Sequence, residues 1–147
     1  MEFITLNQVL NILRTICNNH FQINSFVFGH ISEISASEQE QYPLVWCDIN
    51  DSQMSERMFT MNLSLYVLDI QRADGSNEVD VLSDTLSIGR DLVAALNNPI
   101  YQDYFNVQFD INFGQVREGF PDVVDGWKLD IGLDLMELND RCQIPTE

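Results

Sequence analysis

Asp110, Asp130 and Asp134 come nearest in this chain to residues whose type and spacing could do chemistry, since metal-dependent nucleases and hydrolases hold their ions with acids on adjacent strands. The spacing works against that use. Asp130 and Asp134 share one face of an alternating segment and stand about 13 Å apart at the strand rise, with Asp110 on a neighbouring segment. Ligands to one ion must converge within a few ångströms, so a solvated or partner-facing acidic strip is the expected role. A metal site would require a large rise in melting temperature with Mg²⁺ or Mn²⁺.

Nucleophilic catalysis needs a base beside a Ser, Cys or Thr, and the only histidines are His20 and His30. His20 closes a helical pattern, where an imidazole is favourable for structural reasons, and His30 follows Gly29 in a strand pattern. Both are expected to be structural. Gly114, Gly119 and Gly126 open no helix, and no lysine follows a glycine pair, so no phosphate loop is present. Cys17, Cys47 and Cys142 are odd in number and widely spaced, which fits neither a disulfide framework nor a zinc site. They read as buried free thiols in a reducing compartment. Trp46 and Trp127 lie on apolar strand faces and are expected in a core. The chain is thus expected not to be an enzyme and to use no cofactor or metal.

The elements that position these residues follow from periodicity. Residues 5 to 20 read as a helix, with Leu6, Val9, Leu10, Leu13 and Cys17 on one face, Thr5 and Gln8 as a capping box, and Asn18-Asn19 as its stop. Phe21 to Ala36 reads as a strand with a kink or bulge near Gly29. The acidic stretch Ser35 to Gln41, with Glu38 and Glu40, is a solvated loop, and Tyr42 to Asn50 is a second strand with Pro43 at its start or on a free edge. After a polar turn at Asp51 to Ser55 comes a long strand, Met58 to Ile70, with Met61, Leu63, Leu65 and Val67 on one face and Asn62, Ser64 and Tyr66 on the other.

Arg72 to Asn77 is a turn. A second helix runs from Asn77 or Glu78 to Asn97, its inward stripe Val79, Leu82, Leu86, Gly89, Val93 and Leu96, with Glu78 and Asp80 suited to the helix dipole. Two alternating segments follow, Phe105 to Phe113 and Trp127 to Leu135, joined by a Gly119 to Gly126 turn containing Pro121. Residues 143 to 147 form a short extended tail. Helix, three strands, helix, two strands describes an α+β protein, a two-layer sandwich of a mainly antiparallel sheet with both helices on one face. The other face would carry Asn62, Ser64 and Tyr66 with Asn106, Gln108, Asp110, Lys128, Asp130 and Asp134, and it is the main candidate interaction surface.

The 147 residues suit one domain with one core, and 45% hydrophobic with 20% charged residues is ordinary for a folded chain. The charge balance is not ordinary. There are 23 acidic against 7 basic residues, a net −16, and one lysine, Lys128. Such a surface repels phosphate backbones and anionic membranes at long range. It suits solubility, a wall that must not hold DNA, metal binding, or mimicry of DNA. No apolar run is long enough to span a bilayer and no basic segment leads an apolar one, so synthesis in the cytosol is expected.

The phrases Thr5-Leu-Asn-Gln-Val-Leu-Asn-Ile-Leu-Arg14, Tyr42-Pro-Leu44, Val81-Leu-Ser-Asp84 and Asp140-Arg-Cys-Gln-Ile-Pro145 resemble small structural proteins of tailed bacteriophages that infect Bacteroidetes, crAss-like phages among them. The element order is similar to that of tail terminator and tail completion proteins. That resemblance implies a virion protein, assembled in the host cytoplasm, whose subunits form a homo-oligomeric ring, six-fold by the family's habit. The ring docks on neighbouring connector and tail proteins while DNA passes through without specific binding and without a membrane. It implies no catalytic residues. Within that reading Asp110, Asp130, Asp134, Tyr66 and Gln108 form a channel or partner-facing strip, and Glu38, Glu40, Tyr42 and Pro43 a subunit-contact segment. The alternatives are a head completion or portal-adjacent ring protein and, from another class, an acidic DNA-mimic inhibitor of a host nucleic-acid enzyme. A metal-dependent hydrolase is the remaining class.

Overall fold

The computed structural model describes residues 4–30, 42–56, 58–70, 76–108, 110–116 and 124–136. Glu38, Glu40, Cys142, the Ser35 to Gln41 loop and the tail lie outside these residues.

The first helix, α1 (Leu6–Asn18), starts where its capping box places it. Thr5 Oγ1 accepts from the Gln8 backbone N–H at 3.3 Å, and the Thr5 N–H donates to Gln8 Oε1 at 2.7 Å. Asn19 closes it. Val9, Leu10, Leu13, Ile16 and Cys17 are buried, whereas Leu6 is exposed. Leu6 stands in the first turn, and Ile16 takes its place in the stripe. The strand expected from Phe21 is shorter: β1 is Ser25–Phe28, and Phe21 is fully exposed.

Strand β2 (Leu44–Ile49) runs parallel to β1 and antiparallel to β4 (Met58–Ile70), which also carries the two-residue β3 (Gln53–Met54). Pro43 therefore stands just ahead of an interior strand and not on a free edge. It takes the first of its two expected places, at the start of the strand, and its carbonyl accepts from Asn24 N at 2.9 Å.

The second helix, α2 (Glu78–Leu96), has the expected bounds but is turned about its axis. Val81, Thr85, Ile88, Gly89, Leu92 and Leu96 are buried, Leu82, Leu86 and Val93 are half-buried flanks, and Val79 is 78% exposed. Thr85 explains the difference. Its hydroxyl donates to Val81 O at 2.7 Å, so a residue that reads as polar enters the core with its hydrogen bond made.

Strand β7 (Val124–Met136) pairs with β4 along its whole length, from Met58↔Met136 to Ile70↔Val124. On its other side lie β5 (Asn106–Val107) and β6 (Asn112–Val116). The single strand expected over Phe105 to Phe113 is thus split in two. Both helices pack on one sheet face, over Val45, Cys47, Leu63, Leu65, Val67, Leu129, Ile131 and Leu133, so the molecule is a two-layer α+β sandwich with a mixed, mainly antiparallel sheet. The far face is not wholly polar: Leu44, Trp46, Leu68 and Val124 form a second buried cluster at one end.

Candidate functional site: the polar face of the sheet

The β4 and β7 register sets the far face. Thr60, Asn62, Ser64 and Tyr66 stand opposite Asp134, Gly132, Asp130 and Lys128. Cross-strand neighbours this close interact directly, and here they form hydrogen-bonded pairs. Ser64, almost fully buried, accepts from Asn50 Nδ2 at 2.6 Å and donates to Asp130 Oδ1 at 2.9 Å. Asp134 Oδ1 accepts from Thr60 Oγ1 at 2.7 Å and from Gln108 Nε2 at 2.9 Å. Lys128 Nζ lies 3.7 Å from Asp130 Oδ1 and 6.0 Å from the centre of the Tyr66 ring. Burial raises the pKa of Tyr66, Lys128 lowers it, and Asp48 and Asp130 raise it, so the phenol keeps its proton above its ordinary range.

The break between β5 and β6 builds a concavity on this face. Val107 pairs with Leu133 and Asn112 with Asp130, so between these pairs the chain has two more residues than β7, which has Ile131 and Gly132 alone. Gln108 N still donates to Gly132 O at 2.8 Å, and Asp110 takes φ 70°, a left-handed conformation that Asp tolerates. A cavity of about 320 Å³ results, bounded by Asn50, Asp51, Asn62, Gln108, Asp110 and Asp130. Gly132 is its floor. A Cβ there would meet Gln108 Oε1 and come within 3.3 Å of Asn62 Oδ1, so a larger residue would push these two amide ends aside.

The expected strip is therefore brought together in part. Asp110, Asp130 and Gln108 border one cavity, while Asp134 is engaged beside it and Tyr66 stands further along with Lys128. Asn50, Asp51 and Gly132 were not legible as site residues, because they join it through strand register. Among the described residues no three His, Cys, Asp or Glu side chains are grouped to hold a metal ion. Tyr42 is half-buried against the Leu44, Trp46, Leu68 and Val124 cluster.

The remaining candidates have structural surroundings. His20 Nε2 lies 2.9 Å from Asp91 Oδ2, and its Nδ1 accepts from Gln22 N at 3.2 Å. Both ring nitrogens are engaged, and the adjoining cavity of about 270 Å³, with Asn98 and Tyr101, brings no Ser, Cys or Thr beside the imidazole. Burial pushes the Cys17 thiol up to about 12; burial, with Asp48 and Cys17 nearby, does the same to Cys47. Neither is a nucleophile near neutral pH. Trp46 donates to Gly29 O on the far face, and Trp127 donates to Leu82 O on the helix side, each at 2.9 Å. No described helix is long and apolar enough to cross a membrane. Compared with known proteins, the chain matches no family model and none of the curated proteins.

Proposed function

We propose that this chain is a non-catalytic structural subunit of a phage neck or tail, a tail-terminator-like ring protein whose polar sheet face meets a neighbouring protein of the particle. The observation that carries the reading is the far face itself. One end is buried in apolar packing, while the other is a hydrogen-bonded acidic surface with a concavity. The carboxylates Asp130 and Asp134 are bound to Ser64 and Thr60, which holds them in place on that face.

The α+β sandwich and its element order are compatible with this role. The edge strands, β1 on one side and β5 with β6 on the other, suit side-by-side association. The net charge of −16 suits a protein that DNA passes without being held. Partner contact is favoured over a bare channel wall because a concavity accepts a protruding group, which a wall does not need.

The test is the double substitution Asp110→Lys with Asp130→Lys, introduced into the phage that carries this chain. The expected outcome is a folded protein missing from purified particles, with a fall in titre of tenfold or more. Particles of normal protein composition that fail to package or eject DNA would assign the face to the channel instead. Normal particles with normal titre would remove it from either role.

A further inference from the structure

We propose that strand β1 of one copy of this chain pairs antiparallel with β6 of the next, Phe28 opposite Phe113 and Val27 opposite Gly114, so that the sheet runs on from copy to copy. This deepens the reading above, resting on its claim that copies associate, and names the strands and their register.

Charge is distributed over the sheet in the reverse of the usual way. The interior strands β2, β4 and β7 carry Asp48, Asp69, Asp125, Lys128, Asp130 and Asp134, whereas the outer strands Ser25-Phe-Val-Phe28 and Asn112-Phe-Gly-Gln-Val116 carry none, in a chain with 23 acidic and 7 basic residues. Sheets that end in solvent place charge or proline on their edge strands to prevent pairing. Neither device is present here, and among the described residues no strand lies beyond β1 or β6. Phe28 is 41% exposed. Copies carrying −16 each repel at a distance, but salt screens that repulsion beyond about 8–10 Å, and the two edges bring no charges into contact.

Direction, length and hydrogen bonding agree on one register. β1 is parallel to β2, β2 antiparallel to β4, β4 to β7 and β7 to β6, so β1 and β6 run in opposite directions, and a copy that continues the sheet presents β1 antiparallel to β6. Gly29 N donates to Cys47 O, so the alternation of the ladder turns the N–H and C=O of Phe26 and Phe28 outward. On β7, Gly132 O accepts from Gln108 N, so the backbone groups of Gly132, Asp130 and Lys128 face this side, meet Asn112 and Gly114, and leave those of Phe113 turned outward. Phe28 opposite Phe113 is therefore a pair that exchanges both ladder bonds, and it brings the whole of β1 alongside β6. The side-chain faces agree as well. Phe26 and Phe113 pack with the helix-side core and Val27 and Val116 with the far cluster, so Phe28 meets Phe113 on one face and Val27 meets Gly114 on the other. A contact between opposite edges is head-to-tail, and it closes into a ring when the rotation per copy allows.

The experiment mixes two variants, Val27→Cys and Gly114→Cys, under mild oxidation, each with Cys142→Ser and with Cys17 and Cys47 buried as in the native chain. A Cβ at 114 meets only Lys128 O, at 4.0 Å, so the replacement is accommodated, and facing positions that do not exchange ladder bonds stand close enough for a disulfide. A covalent dimer is expected, about tenfold more abundant than from Val27→Cys mixed with Asn112→Cys, which is out of register. Phe28→Pro removes only an outward donor and is expected to weaken association about tenfold, while raising NaCl strengthens association of the native chain. Equal cross-linking out of register, or unchanged association of Phe28→Pro, would overturn the assignment. Ring formation is scored separately by electron microscopy. A ring without the cross-link overturns the edge contact alone, cross-linked filaments overturn the ring alone, and a chain monomeric at every salt concentration overturns both.

Discussion

Asp69 shows how a single side chain can be out of keeping with its surroundings. It faces Asp125 across β4 and β7 on the helix side of the sheet, where Asp125 is 3% exposed. Burial raises the pKa of Asp69; the hydrogen bond from Ile70 N at 2.8 Å lowers it, and Asp84 raises it. A carboxyl whose pKa is higher folded than unfolded binds its proton more tightly in the folded state. Ionisation therefore weakens the fold at neutral pH, and that loss disappears as pH falls through the folded pKa toward the unfolded value near ~3.9. Asp69→Asn keeps the acceptor for Ile70 and should raise stability at pH 7, by less than ~1 kcal/mol after solvent screening, with the gain shrinking toward pH 4. Urea midpoints of the two proteins at both pH values check this. A gain that grows on acidification would contradict it. Alternation along Met58 to Ile70 places Asp69 on the apolar face of its strand; Asp125 falls in the expected Gly119 to Gly126 turn, but the strand starts earlier, at Val124, and the register sets Asp125 opposite Asp69.

At the scale of elements, the ends of the helices were legible and their rotation was not. Thr5, Gln8 and Asn19 act through bonds to their own backbone neighbourhood, so local sequence suffices to read them. Which side of α2 enters the core depends on what covers it. Two overlapping apolar rows run along this helix, and the sheet selects the one through Thr85 and Ile88. Ile88→Ala should cost about 2–5 kcal/mol, whereas Val79→Ala should stay within about 0.5 kcal/mol; equal losses in chemical denaturation would contradict the observed rotation. The break between β5 and β6 had no signature because it inserts two residues. An even insertion preserves the in-and-out alternation, so Val107 and Phe113 keep the same parity across it. The concavity that most distinguishes the candidate site was hidden for that reason, although Asp110, Asp130 and Gln108 were each placed on the correct face.

At the scale of the whole molecule, the two-layer α+β arrangement follows from patterns strong enough to read directly: two amphipathic helices and long alternating strands that need a common cover. The second apolar cluster is what the patterns concealed. Leu44-Val-Trp-Cys47 is a continuous apolar run, the mark of an interior strand buried on both faces, and β2 is such a strand between β1 and β4. The far face is accordingly divided into an apolar end and a polar, acidic end, which concentrates its contact chemistry around Gly132. In the proposed role, copies of this chain associate side by side while that face stays available to another protein. Native mass spectrometry with electron microscopy over a concentration series tests it most directly. A closed ring with a central opening is the expected result; a monomer at every concentration would contradict the ring role.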